Sequence, residues 1–258
     1  LLGKVAKNSM THEHMIIHQI FEFIGYLVGG YIFRNNSKTT VLKQHLNLEQ
    51  KVMLIFGLLC GALLGSKALA TLNYWDALQT MPLSAWLGGK TIVGGLLGGL
   101  IGIEISKKLQ KITTSTGDAF TIPLIVGMAI GRIGCAQAGI EDYTFGNPTT
   151  LPWGMNLGDG IPRHPTAIYE IIFLVILGTI LHKIQFKTSG LKFKIFMTSY
   201  LAFRLLVDFL KPPHGDFAPI KDILPATSFF GLSAIQVACV LGLIYYSYEF
   251  IKIYKKDN

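Results

Sequence analysis

Long apolar runs separated by short polar ones dominate the chain. Seven runs approach the roughly 20 residues that a helix needs to cross a hydrocarbon core. They predict spans over residues 15–33, 52–70, 86–105, 119–139, 165–184, 193–210 and 229–251. The sixth is the most polar, since it contains Arg204 and Asp208. With seven spans, the lysines and arginines of the connecting segments divide 14 to 5 between the two sides. Positive charge concentrates on the cytoplasmic face. The expected fold is therefore an all-α, polytopic membrane protein with the N-terminus outside and the C-terminus cytoplasmic. It is expected to form a single transmembrane domain over 1–258, with an ordered outer loop at about 140–164. That loop holds Glu141, Asp142, Tyr143, Trp153, Asp159 and several prolines and glycines. Ordered loops of this length commonly carry function.

Composition agrees with this class. Half of the 258 residues are hydrophobic, 15% are charged, and the mean hydropathy is +0.45. The net charge of +8 falls in the segments between apolar runs, so it reads as a topology signal rather than a nucleic-acid surface. Cys60, Cys135 and Cys239 each sit in an apolar run without metal or redox spacing, which suits small buried hydrophobes. No cleavable signal peptide is expected, because the first apolar run is of full length with no cleavage site after it.

Against this background two arginines stand out. Arg132 lies in the fourth run, within Gly131-Arg132-Ile133-Gly134, and Arg204 lies in the sixth. Placing an arginine in hydrocarbon costs about 2.5–3.5 kcal/mol on insertion scales, so such residues face a protein interior or a wet cavity. Arg132 either snorkels to the outer interface or faces an inward site that its small neighbours leave open. Tyr200, Arg204 and Asp208 are four residues apart and share one helix face. Asp208 either forms a structural pair with Arg204 or orients its guanidinium toward a ligand, with the Tyr200 hydroxyl beside it. A third arginine, Arg163, precedes His164 and Pro165 at the start of the fifth run, where helix N–H groups favour an anion. In the third run Gly94, Gly98 and Gly102 are four apart, as are Gly95 and Gly99. They serve close helix packing, approach of a lipid head group with Lys90 nearby, or both. His18 and Glu22, also four apart, are further polar groups in the first run. In a membrane the abundant anion is a lipid phosphate, and the three arginines suggest a pocket for one.

Four features together resemble the bacterial prolipoprotein diacylglyceryl transferase family over most of the chain. They are the glycine-rich third run, Gly131-Arg132-Ile133-Gly134, Arg163-His164-Pro165-Thr166-Ala167-Ile168-Tyr169-Glu170, and Tyr200-x-x-x-Arg204-x-x-x-Asp208. The chain departs from the family at several positions. The family has a histidine before a Gly-Gly pair where Val93 stands here. The family's two asparagines and glutamate after the signature arginine read Cys135, Ala138 and Ile140, with Glu141 displaced by one.

The resemblance implies transfer of the diacylglyceryl group of phosphatidylglycerol to the cysteine thiol of a lipoprotein precursor. The setting would be the bacterial inner membrane, with no metal or organic cofactor. It implies Arg132 and Arg204 as phosphate ligands, with Tyr200, His164 or Glu141 assisting proton transfer. Gly131, Gly134, Arg163, Asp208, Lys90, Gly94 and Gly95 would be substrate-binding positions. A divergent paralogue with another acceptor is an alternative, as is a non-enzymatic lipid- or anion-binding transporter or scaffold.

Overall fold

The computed structural model describes residues 2–36, 46–79, 86, 89–142, 144–212 and 228–257, and among these described residues eight α-helices carry nearly all the regular structure. Side chains of residues 2–15, 77, 141, 142, 256 and 257 lie outside that description. The helices are α1 (Leu2–Asn35), α2 (Leu48–Asn73), the short α3 (Trp75–Leu78), α4 (Ile92–Leu109), α5 (Gly117–Ala138), α6 (Thr166–Lys183), α7 (Leu191–Asp208) and α8 (Ala234–Asp257). Two antiparallel ladders of two-residue strands complete the description: β1 (Met155–Asn156) with β2 (Pro162–Arg163), and β3 (Ser228–Phe229) with β4 (Leu232–Ser233).

Five helical segments are long and apolar enough to cross a membrane: Ile16–Asn35, Leu48–Asn73, Gly117–Ala138, Thr166–Lys183 and Ala234–Lys255. The protein is thus an all-helical, polytopic membrane protein. Helices α4 and α7, of 18 residues each, are more charged. Glu104, Lys107 and Lys108 lie toward the end of α4; Lys192, Lys194, Arg204 and Asp208 punctuate α7. Large side chains such as Leu64, Ile176 and Leu241 are exposed along the five segments, as lipid-facing surfaces require.

Two helices start later than the pattern-based expectation, whereas those of the first and second runs start earlier, at Leu2 and Leu48. The third run begins its helix at Ile92 rather than near Trp86, because the Thr91 side chain accepts from the Gly94 N–H and caps it there. Lys90 is therefore an exposed residue ahead of the helix. The seventh run begins its helix at Ala234 rather than Phe229. Phe230 and Gly231, both at positive φ, turn the chain into the β3–β4 ladder. Ser233 and Gln236 then cap the helix reciprocally, at 2.8 and 3.1 Å.

The chain divides into two compact units. The first comprises Leu1–Thr40 and Thr116–Phe196. Its central contact is an antiparallel seam between α1 and α5. A Cβ on Gly25 would lie 2.7 Å from the Gly127 carbonyl oxygen, one on Gly29 would lie 3.1 Å from that of Pro123, and one on Gly134 would lie 3.2 Å from the Cα of His18. One register accounts for all three approaches. Helix α6 packs on α5, where Gly178 accommodates the Ile125 side chain. Asp118 of α5 accepts the N–H groups of Gly190 and Phe193, at 2.9 and 3.0 Å, and so anchors the first turn of α7.

The second unit comprises Val41–Ser115 and Met197–Asn258. Here α2 and α4 meet through facing glycines. A Cβ on Gly94, Gly98 or Gly102 would lie 2.0–2.3 Å from the carbonyl oxygens of Gly65, Gly61 and Gly57, respectively. Backbones this close admit no side chain, which is the small-residue packing that van der Waals attraction favours in lipid. Ser66 fixes the end of the seam, accepting from Thr91 N and donating to Thr91 O, both at 2.9 Å.

Candidate functional site

In the first unit, small residues on α5 let a long charged side chain lie inside the helix cluster. Arg132 is only 7% exposed. Its Nε lies 2.9 Å from Oε2 of Glu170 on α6, and its Nη1 donates to the Cys135 sulfur at 3.3 Å, one turn along α5. Glu170 is 2% exposed. Two opposite charges are thus removed from water together, which makes the guanidinium position well defined: each would be very costly alone. This geometry departs from the snorkelling alternative. Gly134, two residues on, faces α1, whereas a Cβ on Gly131 would meet nothing within 4 Å.

The segment between α5 and α6 of this unit is built around Arg163. Its Nε and Nη2 both reach Oδ2 of Asp159 at 2.7 Å, Nη1 donates to the Gly146 carbonyl at 3.5 Å, and the guanidinium carbon stands 5.0 Å from the centre of the Phe145 ring. Strand β2 also pairs with the stretch from Gly146 to Thr149 through bonds of 2.9–3.1 Å. Burial would raise the Asp159 carboxyl pKa, but the hydrogen bond from Arg163, the Ile161 N–H and the Arg163 charge outweigh it and hold the group below its ordinary value. His164 Nδ1 lies 3.1 Å from the Tyr169 hydroxyl, which accepts from Trp153 Nε1 at 2.9 Å. The Thr166 hydroxyl donates to the Thr144 carbonyl. A small pocket opens behind Cys135, lined by Thr144, Phe145, Leu157 and Thr166 among others. The side chain of Glu141 lies outside the described residues, as does Tyr143.

In the second unit Arg204 lies 3.0 Å from Oδ1 of Asp208 through Nη2, one turn along α7. The Ser233 hydroxyl donates to the other carboxylate oxygen, Oδ2, at 2.9 Å. Asp208 therefore orients the guanidinium while being oriented from the start of α8. Tyr200 is fully buried on the same helix, and Arg204 is 7% exposed. Tyr74, just beyond α2, senses this group: burial raises its hydroxyl pKa, the Asp208 charge raises it further, and Arg204 and Asn73 act in the opposite sense. Val93, in the position where the resemblance expects histidine, is 1% exposed in the first turn of α4. Gly94 faces the α2 backbone, and a Cβ on Gly95 would meet Ala62 and Ser66 at an ordinary 3.8 Å.

Sequence reasoning missed Glu170, Ser233 and Tyr74 as partners of the arginines. Glu170 ends the motif that starts at Arg163 and is an acidic residue in an apolar run, which was a readable signal. Ser233 and Tyr74 carry none, since their proximity comes from the packing of separate helices.

These features define a polytopic, all-helical membrane protein with buried guanidinium–carboxylate pairs. Comparison with known proteins narrows the class. A profile of the prolipoprotein diacylglyceryl transferase family matches residues 13–251, and the chain belongs to that family of membrane transferases. It is 30% identical over 235 residues to a phosphatidylglycerol–prolipoprotein diacylglyceryl transferase of Cupriavidus metallidurans, covering 84% of this chain and 85% of the relative. A namesake from Nitrosomonas europaea is 27% identical over 238 residues, with 87% and 84% covered. Another from Nitratidesulfovibrio vulgaris is 34% identical over 169 residues, with 62% and 61% covered.

Proposed function

We propose that this protein transfers the diacylglyceryl group of phosphatidylglycerol to the cysteine thiol of a lipoprotein precursor in the bacterial inner membrane. The observation that carries the reading is the buried Arg132–Glu170 pair, in a chain that belongs to the transferase family. The thiolate attacks the glyceryl carbon that bears the phosphoester. A C–S bond forms, the C–O bond breaks, and glycerol phosphate leaves with the electron pair. Charge grows on the departing phosphate oxygen. A guanidinium already fixed in a water-poor site stabilises that charge without reorganising during the reaction.

Arg132 and Arg204 are the phosphate ligands in this reading, supported by their burial in the helix clusters. Glu170 and Asp208 stand 2.9 and 3.0 Å from these guanidinium groups and hold their orientation. Arg163 is assigned to the outer segment, whose shape it maintains through Asp159 and Phe145 and whose position beside the fifth span suits substrate admission. His164 (bonded to Tyr169), Tyr200 and Glu141 are proton-handling candidates in this reading, with Gly131, Lys90 and Gly95 as further lining positions, while Gly134 and Gly94 serve close helix packing. A single transmembrane domain with seven spans, the N-terminus outside and the C-terminus cytoplasmic, is the arrangement we propose. It is supported by the 14-to-5 division of lysine and arginine and requires α4 and α7 to cross as well.

The test uses purified protein in phosphatidylglycerol vesicles with a lipobox peptide. The expected result is a peptide mass increase of one diacylglyceryl group, abolished by Arg132→Ala and by Arg204→Ala in inserted protein. Full transfer by both variants overturns the assignment.

A further inference from the structure

The proposed reaction needs a proton acceptor, since the thiol is a weak nucleophile and its thiolate a strong one. Apolar Val93 cannot supply it. The α1–α5 seam points to another group. His18 and Glu22 are four apart on α1, with Nε2 of the imidazole 3.5 Å from Oε1 of the carboxylate. Their side chains are 16% and 27% exposed, and the histidine Nδ1 is buried. Two ionisable groups in one membrane-length helix are costly, and such residues are retained where a pathway or a reaction uses them.

The seam register places the pair. Gly25 meets Gly127, Gly29 meets Pro123, and His18 meets Gly134. The same register sets Arg132 level with the helical turn that runs from His18 to Glu22. It also puts Gly131, whose Cβ position is open, at that height. A carboxylate–imidazole dyad thus stands level with the buried guanidinium, across a helix contact close enough for backbone to touch backbone.

We propose that His18 and Glu22 form the proton acceptor for the attacking thiol, in the protein's first unit. This rests on the transferase reading above. The imidazole takes the thiol proton, the Glu22 carboxylate stabilises the imidazolium, and the thiolate sulfur displaces glycerol phosphate. The proton then passes to the released phosphate or to water, restoring the neutral ring. At this height of the seam α5 carries Arg132 and Cys135, which reach toward α6, and the 3-10 segment Gly139–Asp142 that adjoins α1 carries Glu141 and Asp142 in its sequence. Glu170 acts at one remove, through Arg132.

The experiment measures kcat and KM for phosphatidylglycerol across pH 5.5–9.5 in vesicles, for the unsubstituted protein, His18→Gln and Glu22→Gln, with melting temperatures for each. His18→Gln is expected to lower kcat by about 10²- to 10⁴-fold at neutral pH, with KM little changed. Its rate should climb steadily as the peptide thiol ionises near pH 8.5, recovering at alkaline pH as a variant lacking only a base does. Glu22→Gln should shift the acidic limb of the profile and lower kcat less. Unchanged kcat and pH profile in His18→Gln overturns the proposal. So does a loss in both variants that follows a lowered melting temperature and shows no alkaline recovery. No transfer by the unsubstituted protein overturns the transferase reading instead.

Discussion

Removing the carboxylate of Glu170 tests what holds Arg132. At 2.9 Å the two charges attract by about 6 kcal/mol for an effective dielectric constant near 20. Much of this offsets the cost of taking both from water, so the net contribution of the pair is small. Deleting one partner is different, because the other charge stays buried at 7% exposure without its opposite charge. Glu170→Ala is therefore expected to destabilise the folded protein by about 3–5 kcal/mol. For a chain of this size that corresponds to a melting-temperature drop on the order of 10 °C. Glu170→Gln, which keeps an acceptor oxygen but no charge, should fall between. A double variant, Arg132→Met with Glu170→Leu, replaces the pair by apolar groups and should recover most of the stability while giving no transfer. Thermal unfolding in detergent, read by tryptophan fluorescence and paired with the peptide-lipidation assay, separates the two effects. If Glu170→Ala melts within 1–2 °C of the parent and transfers at the parental rate, Arg132 is not anchored as described. If the double variant still transfers, Arg132 is not the phosphate ligand.

Other outcomes follow from the same geometry. Asp208→Ala should reduce transfer less than Arg204→Ala, and Ser233→Ala less again, because each acts on the guanidinium through the next; a larger loss for Asp208→Ala, by the peptide assay, would reverse the roles. Gly98→Leu should abolish folded protein in detergent, since even its Cβ would lie 2.2 Å from the Gly61 carbonyl oxygen; size-exclusion chromatography checks this. Asp159 is depressed by its partners, so its stabilising contribution is complete above the ordinary carboxylate value near 4 and is lost as pH falls through the lower folded-state value. Trp153 fluorescence should accordingly hold steady from pH 7 to about 5 and change in more acid solution, whereas Asp159→Asn should show the change already at pH 7.

Length and apolarity made the helices legible in the sequence, because a bilayer demands about 20 residues of internally bonded backbone whatever the neighbours are. The fifth and sixth runs were placed within two residues at each end. Helix starts were less legible where a cap or turn overrode hydropathy, as at Thr91 and at Phe230–Gly231. Intramembrane charge singled out Arg132 and Arg204, since the cost of burying a guanidinium is intrinsic to the residue. The i,i+4 spacing then paired Arg204 with Asp208, as it paired His18 with Glu22, because one helical turn brings such positions together without tertiary help.

Partners on other helices belong to the tertiary structure alone. That Glu170 of α6 meets Arg132 of α5 depends on how two helices pack, and no spacing along the chain encodes a separation of this kind. The same holds for Ser233 on Asp208 and for the facing glycines of α2 and α4. Sequence determined which groups were too costly to leave without a function or a partner. Packing decided who the partners are, because helix contacts in lipid are selected by close fit between surfaces rather than by the order of residues.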